Sequence, residues 1–309
     1  MEQPVKAFRH NDSYENFLET LRVREGKKIK LGTDFVSDVK NKPYGKKEGE
    51  DLLVDGKEKL IDLQDRLYAH DSHSVLIVLQ GIDAAGKDSA IKHVMSGLNP
   101  TGIKVASFKA PSKNELDHDF FWRHNLQLPR RGEIGIFNRS HYENVLVTRV
   151  HPHLILNENL PHIEKVEDIT HDFWLNRFEQ INRWEKNLHD NGTTIIKFFL
   201  LLSKDEQKQR FLKRIDNPEK NWKFDANDVR ERQFWDEYIA AFEEMLPATS
   251  TAYAPWYVLP ADDKWFARLS MMHIIYKEFL KLNLEYPKIS PQEVDQLQEI
   301  KGQLLAEVK

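Results

Sequence analysis

The sequence predicts an α/β protein with a parallel sheet of five strands, because two patterns alternate along its 309 residues. Short apolar runs of strand length are separated by stretches in which apolar residues recur at helical spacing, and this alternation is typical of parallel sheets. Domains of this class often reach this length as one unit with inserted helices, so a single domain over 1–309 is expected. The predicted strands are 75–80, 103–108, 133–137, 193–202 and 256–259.

The first 70 residues or so are predicted to form a helical extension ahead of the first strand. One helix is expected near 14–22, and the run 40–50, rich in Gly, Pro and charge, is typical of a loop. Leucines then recur at helical spacing and predict a helix that leads into the first strand. These residues are Leu52, Leu53, Leu60, Leu63 and Leu67.

The first strand runs into Gly81-Ile-Asp-Ala-Ala-Gly86-Lys87, a spacing typical of a phosphate-binding loop. In such loops backbone N–H groups wrap phosphate oxygens and the lysine reaches the outer phosphates. Helical spacing from Ala90 to Leu98 places a helix N-terminus, with its favourable dipole, at the same point. The predicted phosphate-binding residues are Gly81, Ala84, Ala85, Gly86, Lys87, Asp88 and Ser89. The alternative is an ordinary glycine-containing turn between a strand and a helix.

Two carboxylates accompany this loop, Asp83 inside it and Asp88 directly after the lysine, where a Ser or Thr is usual. Carboxylates beside a phosphate cradle repel the ligand unless divalent cations stand between them. Asp83 and Asp88 therefore predict a Mg²⁺ site for a highly charged phosphate ligand. The alternative for Asp88 is helix capping, since acids favour the first turn of a helix.

A second polar motif, residues 129–143, combines a basic turn, the third strand and a polar tip. In phosphate-loop enzymes the end of a neighbouring strand commonly supplies an acid to the metal. This strand ends in Asn138, so the acid is predicted to have moved to Glu143. The alternatives are that Asn138 is a turn or cap residue and that Arg139 forms a surface ion pair.

The end of the chain predicts a further helix over about 290–308. Ser290-Pro-Gln-Glu293 combines an N-cap, a proline in the first turn and a capping-box glutamate. Its apolar face is expected to dock on the domain or on a second subunit. The face consists of Val294, Leu297, Ile300, Leu304, Leu305 and Val308.

The overall composition limits the classes of function. With 40% hydrophobic residues, 30% charged residues and a formal charge of −4, the chain does not suit generic nucleic-acid coating, so a polyanion would need a local basic patch. The absence of cysteine excludes disulfides, thiolate catalysis and cysteine metal sites. The polar N-terminus and the lack of a long apolar run predict a cytoplasmic protein without membrane or nucleic-acid partners.

In combination these motifs resemble the polyphosphate kinase 2 family over most of the chain, from about Leu63 to Tyr276. The motifs are Gly81-Ile-Asp-Ala-Ala-Gly-Lys-Asp88, His118-Asp-Phe-Phe-Trp-Arg123, residues 132–143, Lys197-Phe-Phe-Leu-Leu-Leu-Ser-Lys204 through Arg210, Trp222-Lys-Phe224 and Pro260-Ala-Asp-Asp-Lys264. Where other branches have Phe-Asp-Arg-Ser, this chain has Phe137-Asn138-Arg139-Ser140. It is similar in this respect to the branch that accepts both AMP and ADP.

The resemblance implies a three-layer P-loop kinase fold, similar to thymidylate kinase, with a helical lid. It implies phosphoryl transfer between inorganic polyphosphate and adenine nucleotides, or alternatively guanine nucleotides, with Mg²⁺ or Mn²⁺. The implied catalytic residues are Lys87, Asp83, Arg139, Asn138 and Glu143, with Asp83, Asp88 and Glu143 as the partners of the metal. A homo-oligomer, either a dimer or a tetramer, is expected.

The basic segment 203–232, called the lid segment below, would then close over the phosphates. Its bases are Lys204, Lys208, Arg210, Lys213, Arg214, Lys220, Lys223, Arg230 and Arg232. Arginines on a closing lid both position phosphoryl groups and neutralise their charge. The arginines predicted to bind polyphosphate are Arg123, Arg149, Arg210 and Arg214. Because acids are interleaved with these bases, the alternative is that about half of the bases are solvated helix charges.

Two other functions compete with polyphosphate-dependent transfer. An ordinary nucleoside or nucleotide kinase that uses ATP as its donor would have the same fold. A regulatory module could use the nucleotide state to control contacts of the lid segment with a partner.

Overall fold

A computed structural model describes residues 12–223 and 226–307, without the side chains of Lys220, Trp222 and Lys223. The motif that ends in Phe224, two of the lid bases and Val308 therefore lie outside the described residues. The strands are β1 (Ser74–Gln80), β2 (Ile103–Ser107), β3 (Ile134–Asn138), β4 (Thr193–Leu201) and β5 (Trp256–Pro260).

Helices connect and cover these strands. The α-helices are α1 (Asp12–Thr20), α2 (Lys46–His70), α3 (Lys87–Val94), α4 (Lys113–Leu116), α5 (Trp122–Asn125), α6 (Glu143–Val150), α7 (His171–Asp190), α8 (Lys204–Ile215), α9 (Ala226–Glu231), α10 (Trp235–Thr249), α11 (Lys264–Leu280) and α12 (Pro291–Ala306). Short 3₁₀ helices span Pro100–Gly102, Pro152–Glu158, Val166–Asp168, Pro218–Lys223 and Arg232–Phe234.

The five strands form one parallel sheet in the order β2-β3-β1-β4-β5. All five predicted strands are confirmed, each end lying within one residue of the prediction. Leu79 of β1 is in register with Asn138 of β3, and Gln80 with Phe199 of β4. The loops that follow these strands therefore meet at one edge of the sheet, where ligands of such folds bind.

Side chains of the central strand alternate between two cores, which accounts for the three layers. Val75, Ile77 and Leu79 pack with α2, α3 and α11 on one face. Leu76 and Val78 pack with α6, α7 and α10 on the other. A strand covered on both faces must be apolar throughout, and this is why β1 reads as a continuous apolar run in the sequence.

The N-terminal part differs from the prediction at one point. The helix predicted from the leucine pattern is confirmed as α2, but it begins at Lys46, so the predicted loop over 40–50 is wrong for its last residues. Gly49 lies inside the helix because the ring of Trp265 covers it, at 2.3 Å from where a Cβ would stand. The glycine that suggested a loop therefore serves close packing between α2 and α11.

The C-terminal helix is confirmed as α12, with Ser290 as its N-cap and Glu293 completing the capping box. Its apolar face does not dock on the domain, since Leu297, Leu304 and Leu305 are each more than half exposed. That half of the prediction is wrong, and docking on a second subunit stays a prediction. In the part of the chain that the structure describes, no helix has the length and hydropathy that a membrane crossing requires.

Candidate functional site

The loop between β1 and α3 forms the centre of the site. Gly86 is the residue before α3 and has a φ of +105°, a backbone conformation that favours glycine. A Cβ at Gly81 would stand 3.0 Å from the carbonyl oxygen of Leu200, so a larger residue does not fit there. Ala84 also takes a positive φ of 62°. These conformations form the tight turn that a phosphate-binding loop needs.

Lys87 lies in the first turn of α3 and reaches back over the loop. Its Nζ donates to the carbonyl oxygen of Gly81 at 2.6 Å and to that of Ile82 at 3.3 Å. The side chain is buried, and burial together with the nearby Arg139 lowers the pKa of Lys87. A cation held in a poorly solvated position is strongly attracted to phosphate oxygens, because little water competes for it.

Arg139 joins the second motif to the loop. Its Nη2 donates to Oδ1 of Asp83 at 2.7 Å, and its Nη1 lies 4.0 Å from Oε2 of Glu143. Burial raises the pKa of Glu143, although Arg139 and Lys87 oppose that shift. Asp83, Lys87, Arg139 and Glu143, predicted from two separate motifs, therefore lie together.

Asn138 and Asp88 form a second contact between the same motifs. The Asn138 amide donates to Oδ1 of Asp88 at 2.5 Å and to the hydroxyl of Ser107 at 3.4 Å. Asp88 lies in the first turn of α3, but no side chain caps this helix. Its neighbour Ser89 accepts a hydrogen bond of 2.8 Å from Arg268.

Arg210 lies behind the loop instead of in a phosphate path. Its Nη1 donates to the carbonyl oxygens of Ala84 and Ala85, each at 3.0 Å, and its Nη2 donates to those of Ala261 and Asp262. Its Nε donates to Glu206 at 2.8 Å, and the residue is buried. Gln207, which the sequence reasoning missed, donates to the carbonyl oxygen of Asp83 at 2.9 Å. Helix α8 thus holds the carbonyls of three consecutive loop residues.

The other predicted arginines are spread around the site. Arg123 lies over the Phe108 ring, with its Nε 3.2 Å from Glu115, and lines the cavity described below. Arg149 donates to Glu244 at 2.8 Å. Arg214 lies 3.5 Å from Asp228. Arg149 and Arg214 are thus paired with carboxylates and do not themselves line the cavity, although Asp228, the partner of Arg214, does.

A cavity of about 680 Å³ opens beside the loop, within the size range of small-molecule sites. Gly81, Asp83, Arg139 and Glu143 line its phosphate-loop end. The remaining wall combines apolar and aromatic side chains with many polar ones; the former include Phe108, Phe120, Leu146, Leu154, Trp235 and Phe242. Asp228, Glu231 and Arg232 of the lid segment close one side. One end of the cavity is thus suited to an anion and the other to a flat ring.

A cluster of cations lies on a different side of the loop and does not line the cavity. Lys264 and Arg268 of α11 lie close to Arg210, and Lys213 of α8 lies close to Lys264. Burial, and after it these neighbouring cations, lower the pKa of Lys264. Lys213, Lys264 and Arg268 are called the cationic patch below. Lys264 ends the motif Pro260-Ala-Asp-Asp-Lys264, whose pattern alone does not indicate this role.

The predicted metal partners do not form a ready-made metal site. Asp83 and Glu143 lie on either side of the Arg139 guanidinium, and Asp88 is bonded to Asn138. Over residues 12–223 and 226–307, no group of three or more His, Asp or Glu side chains could hold a metal ion.

Comparison with known proteins relates this chain to one family. The family model of polyphosphate kinase 2 matches residues 44–286. An ADP-polyphosphate phosphotransferase of Rhodopseudomonas palustris is 49% identical over 92% of this chain and 97% of its own length. An AMP/ADP-polyphosphate phosphotransferase of Meiothermus ruber is 45% identical over 79% of this chain and 86% of its own.

A solved structure shows the same likeness in three dimensions. The crystal structure of polyphosphate kinase 2 from Arthrobacter aurescens superposes with a TM-score of 0.80 at 34% identity, covering 91% of this chain and 96% of that one. With a five-stranded parallel sheet, a phosphate loop after its central strand, and this match, the chain belongs to the polyphosphate kinase 2 family.

Proposed function

We propose that this protein transfers phosphoryl groups from inorganic polyphosphate to AMP or ADP. One observation carries the proposal: the phosphate loop lies between two dissimilar surfaces. A partly aromatic cavity beside it suits a nucleotide, and the cationic patch suits an extended polyanion. The relatives with 49% and 45% identity are named ADP-polyphosphate phosphotransferase and AMP/ADP-polyphosphate phosphotransferase, and these names support the same substrates here.

In the proposed reaction the acceptor is a nucleotide phosphate, which is already ionised. A general base is therefore unnecessary, and catalysis depends on positioning and on neutralising charge. Lys87 would neutralise the charge of the transferred group, and Arg139 would hold the acceptor phosphate against it. The carbonyl bonds from Gln207 and Arg210 would keep the loop rigid while the group passes.

The residues of the site fit Mg²⁺ in one particular way. Mg²⁺ is commonly held by one or two carboxylates together with substrate phosphates, and an all-protein cage is unusual for it. Asp83 and Glu143, at the phosphate-loop end of the cavity, would supply such carboxylates, with Asp88 close by. When bound, the ion would neutralise charge that develops on the phosphate oxygens.

Glu143→Gln is expected to lower kcat more than Asn138→Ala does, and to raise the Mg²⁺ concentration needed for half-maximal activity. The reason is that, of these two residues, Glu143 carries a carboxylate for the metal whereas Asn138 is neutral. A titration of initial rates against Mg²⁺ for both variants measures this. A larger effect of Asn138→Ala would refute the role of Glu143.

The Glu143→Gln substitution should also affect the stability of the folded protein. Because burial raises the pKa of Glu143, the folded protein holds this proton more tightly than the unfolded chain. Stability from this group is therefore present below the ordinary glutamate pKa and is lost as pH rises through the raised value. At neutral pH, Glu143→Gln should melt at the same or a higher temperature than wild type while turning over more slowly.

Replacing Lys264 and Arg268 together by Gln is expected to raise the KM for polyphosphate roughly tenfold, or about 1.4 kcal/mol for two partly exposed cations. The KM for the nucleotide should change less than about twofold, since neither residue lines the cavity. The salt dependence of the polyphosphate KM should also flatten, because the screened charges are gone. Initial rates at several salt concentrations provide the measurement.

A matched control replaces Lys288 and Arg183, one lysine and one arginine that are well exposed and paired only with neighbours on the chain. This pair should leave both KM values and the salt dependence unchanged. Equal changes in the two double variants would show that the polyphosphate effect comes from net charge and not from the patch.

The function is tested by incubating the purified protein with AMP, polyphosphate and Mg²⁺, without ATP, and separating the nucleotides by chromatography. ADP and ATP should appear, and neither should form with Lys87→Ala purified in the same way. Transfer that needs ATP as the donor and ignores polyphosphate would refute the proposal in favour of an ordinary nucleotide kinase. Binding without any transfer would favour a regulatory module.

A further inference from the structure

A closed set of buried polar groups lies beneath the turn that carries Arg139 and Glu143. Lys197 of β4 is fully buried, and its Nζ donates to Oε2 of Glu185 at 2.6 Å and to the hydroxyl of Tyr142 at 2.8 Å. Its third bond, of 2.7 Å, goes to the carbonyl oxygen of Thr249. All three protons of the ammonium group are thus used.

The remaining bond of this set closes a triangle. The Tyr142 hydroxyl donates to Oε1 of Glu185 at 2.8 Å. Burial alone would raise the pKa of Glu185, but Lys197 and His141 hold it below its usual range. Lys197, Glu185 and Tyr142 are called the buried triad below. They come from β4, from α7 and from the turn before α6.

A contribution to the stability of the fold does not by itself explain why these polar groups are buried together. Removing two ions from water is expensive, and apolar residues of similar volume commonly stabilise a core equally well or better. A fully bonded polar network does hold its members in one geometry, which an apolar contact does not. The buried triad is therefore better suited to fixing a conformation than to adding stability.

The buried triad includes Tyr142, which belongs to the turn over residues 139–143. Tyr142 lies in the chain between Arg139 and Glu143, which both line the cavity. Arg139 has a positive φ of 60°, which is unfavourable for a residue with a side chain and needs support from its surroundings. On the cavity side the turn is held by Gln80, whose amide donates to Ser140 at 3.1 Å.

We propose that the buried triad acts as a set of positioning residues, which hold the turn so that Arg139 and Glu143 meet the phosphate loop. This inference rests on the proposed function, since the reaction supplies the readout. The triad touches no substrate, so its loss should lower kcat and leave the polyphosphate KM unchanged. A role in stability alone would give the opposite pattern, with a lower melting temperature and normal turnover.

Tyr142→Phe tests this with Tyr14→Phe as its matched control. Both tyrosines are fully buried and both hydroxyls bond another side chain, but Tyr14 bonds Ser270, on the opposite face of the sheet. The melting temperature of each variant should fall by a similar amount, roughly 2–4 °C. Only Tyr142→Phe should have a lower kcat than wild type, by at least about tenfold. Equal kcat values in the two variants would overturn the inference.

A second variant keeps the test informative if Tyr142→Phe proves unstable. Lys197→Met combined with Glu185→Gln removes both buried charges at once, so that no unpaired ion is left. This double variant should melt at the same or a higher temperature than wild type, yet turn over at least about tenfold more slowly. A double variant with wild-type kcat, beside an active wild-type protein, refutes the inference and leaves the proposed function standing.

Discussion

Lys87→Ala is expected to lower kcat for polyphosphate-dependent transfer by on the order of 10³-fold, or about 4 kcal/mol, because it removes a charge placed in advance at the transferred group. The KM for the nucleotide should change little, since Lys87 does not line the cavity that would hold the base. Initial rates at saturating Mg²⁺ provide the measurement.

The fold should survive this change. Burial lowers the pKa of Lys87, which means that the folded state disfavours its charge, so removing the charge should not reduce stability. The melting temperature should be equal to or above that of wild type. Lys92→Ala is the matched control, since Lys92 lies on the same helix and is exposed. A Lys87→Ala variant as active as Lys92→Ala would show that the loop is not the reaction centre.

Arg139→Gly should lower kcat by on the order of 10²-fold or more, because the guanidinium is the group that joins the second motif to the loop. Arg139→Lys should recover little of the loss, since an ammonium group cannot span two carboxylates as the planar guanidinium does. The kcat values of both variants, measured in the same transfer assay, test this. Full activity of Arg139→Lys would refute the need for the guanidinium geometry.

Glycine makes this test selective for function. At the φ of 60° of this position, a residue with a side chain costs about 1–2 kcal/mol of stability, which glycine would recover. The greater freedom of glycine in the unfolded chain takes back roughly 0.5–1 kcal/mol of this gain. The melting temperature should thus stay close to that of wild type or rise. His162→Gly is the matched control, because His162 also has a positive φ, of 68°, and is exposed. The melting temperature of His162→Gly should change in the same way as that of Arg139→Gly, and its kcat should equal that of wild type.

Local signals in the sequence were sufficient for the sheet and the loop. A strand buried on both faces must be a continuous apolar run, so β1 and β5, which are buried throughout, could be located within one residue of their ends. The edge strand β2 was located equally well although much of it is partly exposed. The spacing from Gly81 to Lys87 is a property of adjacent residues, and it predicts the turn without any distant contact. Because parallel strands end on one edge of a sheet, the loops after β1 and β3 meet there, and Arg139 donates to Asp83.

The arginines show where such reasoning stops. Position in the sequence put Arg210 in a basic lid, but a helix has several faces, and only packing decides which one is buried. The structure turns Arg210 inward, onto four backbone carbonyls, and pairs Arg149 and Arg214 with acids. An arginine that binds phosphate and one that braces a loop look the same in a sequence.

The sequence by itself determined the fold class, the phosphate loop, the family and a few of the residues that line the cavity, namely Gly81, Asp83, Arg123, Arg139 and Glu143. Only the tertiary structure decided that Gly49 belongs to a helix, that Lys264 and Arg268 gather beside the loop, and that a lysine is buried within β4. The physical reason is the same in each case. These features depend on contacts between residues far apart in the chain, whereas strands, caps and tight turns are set by neighbours.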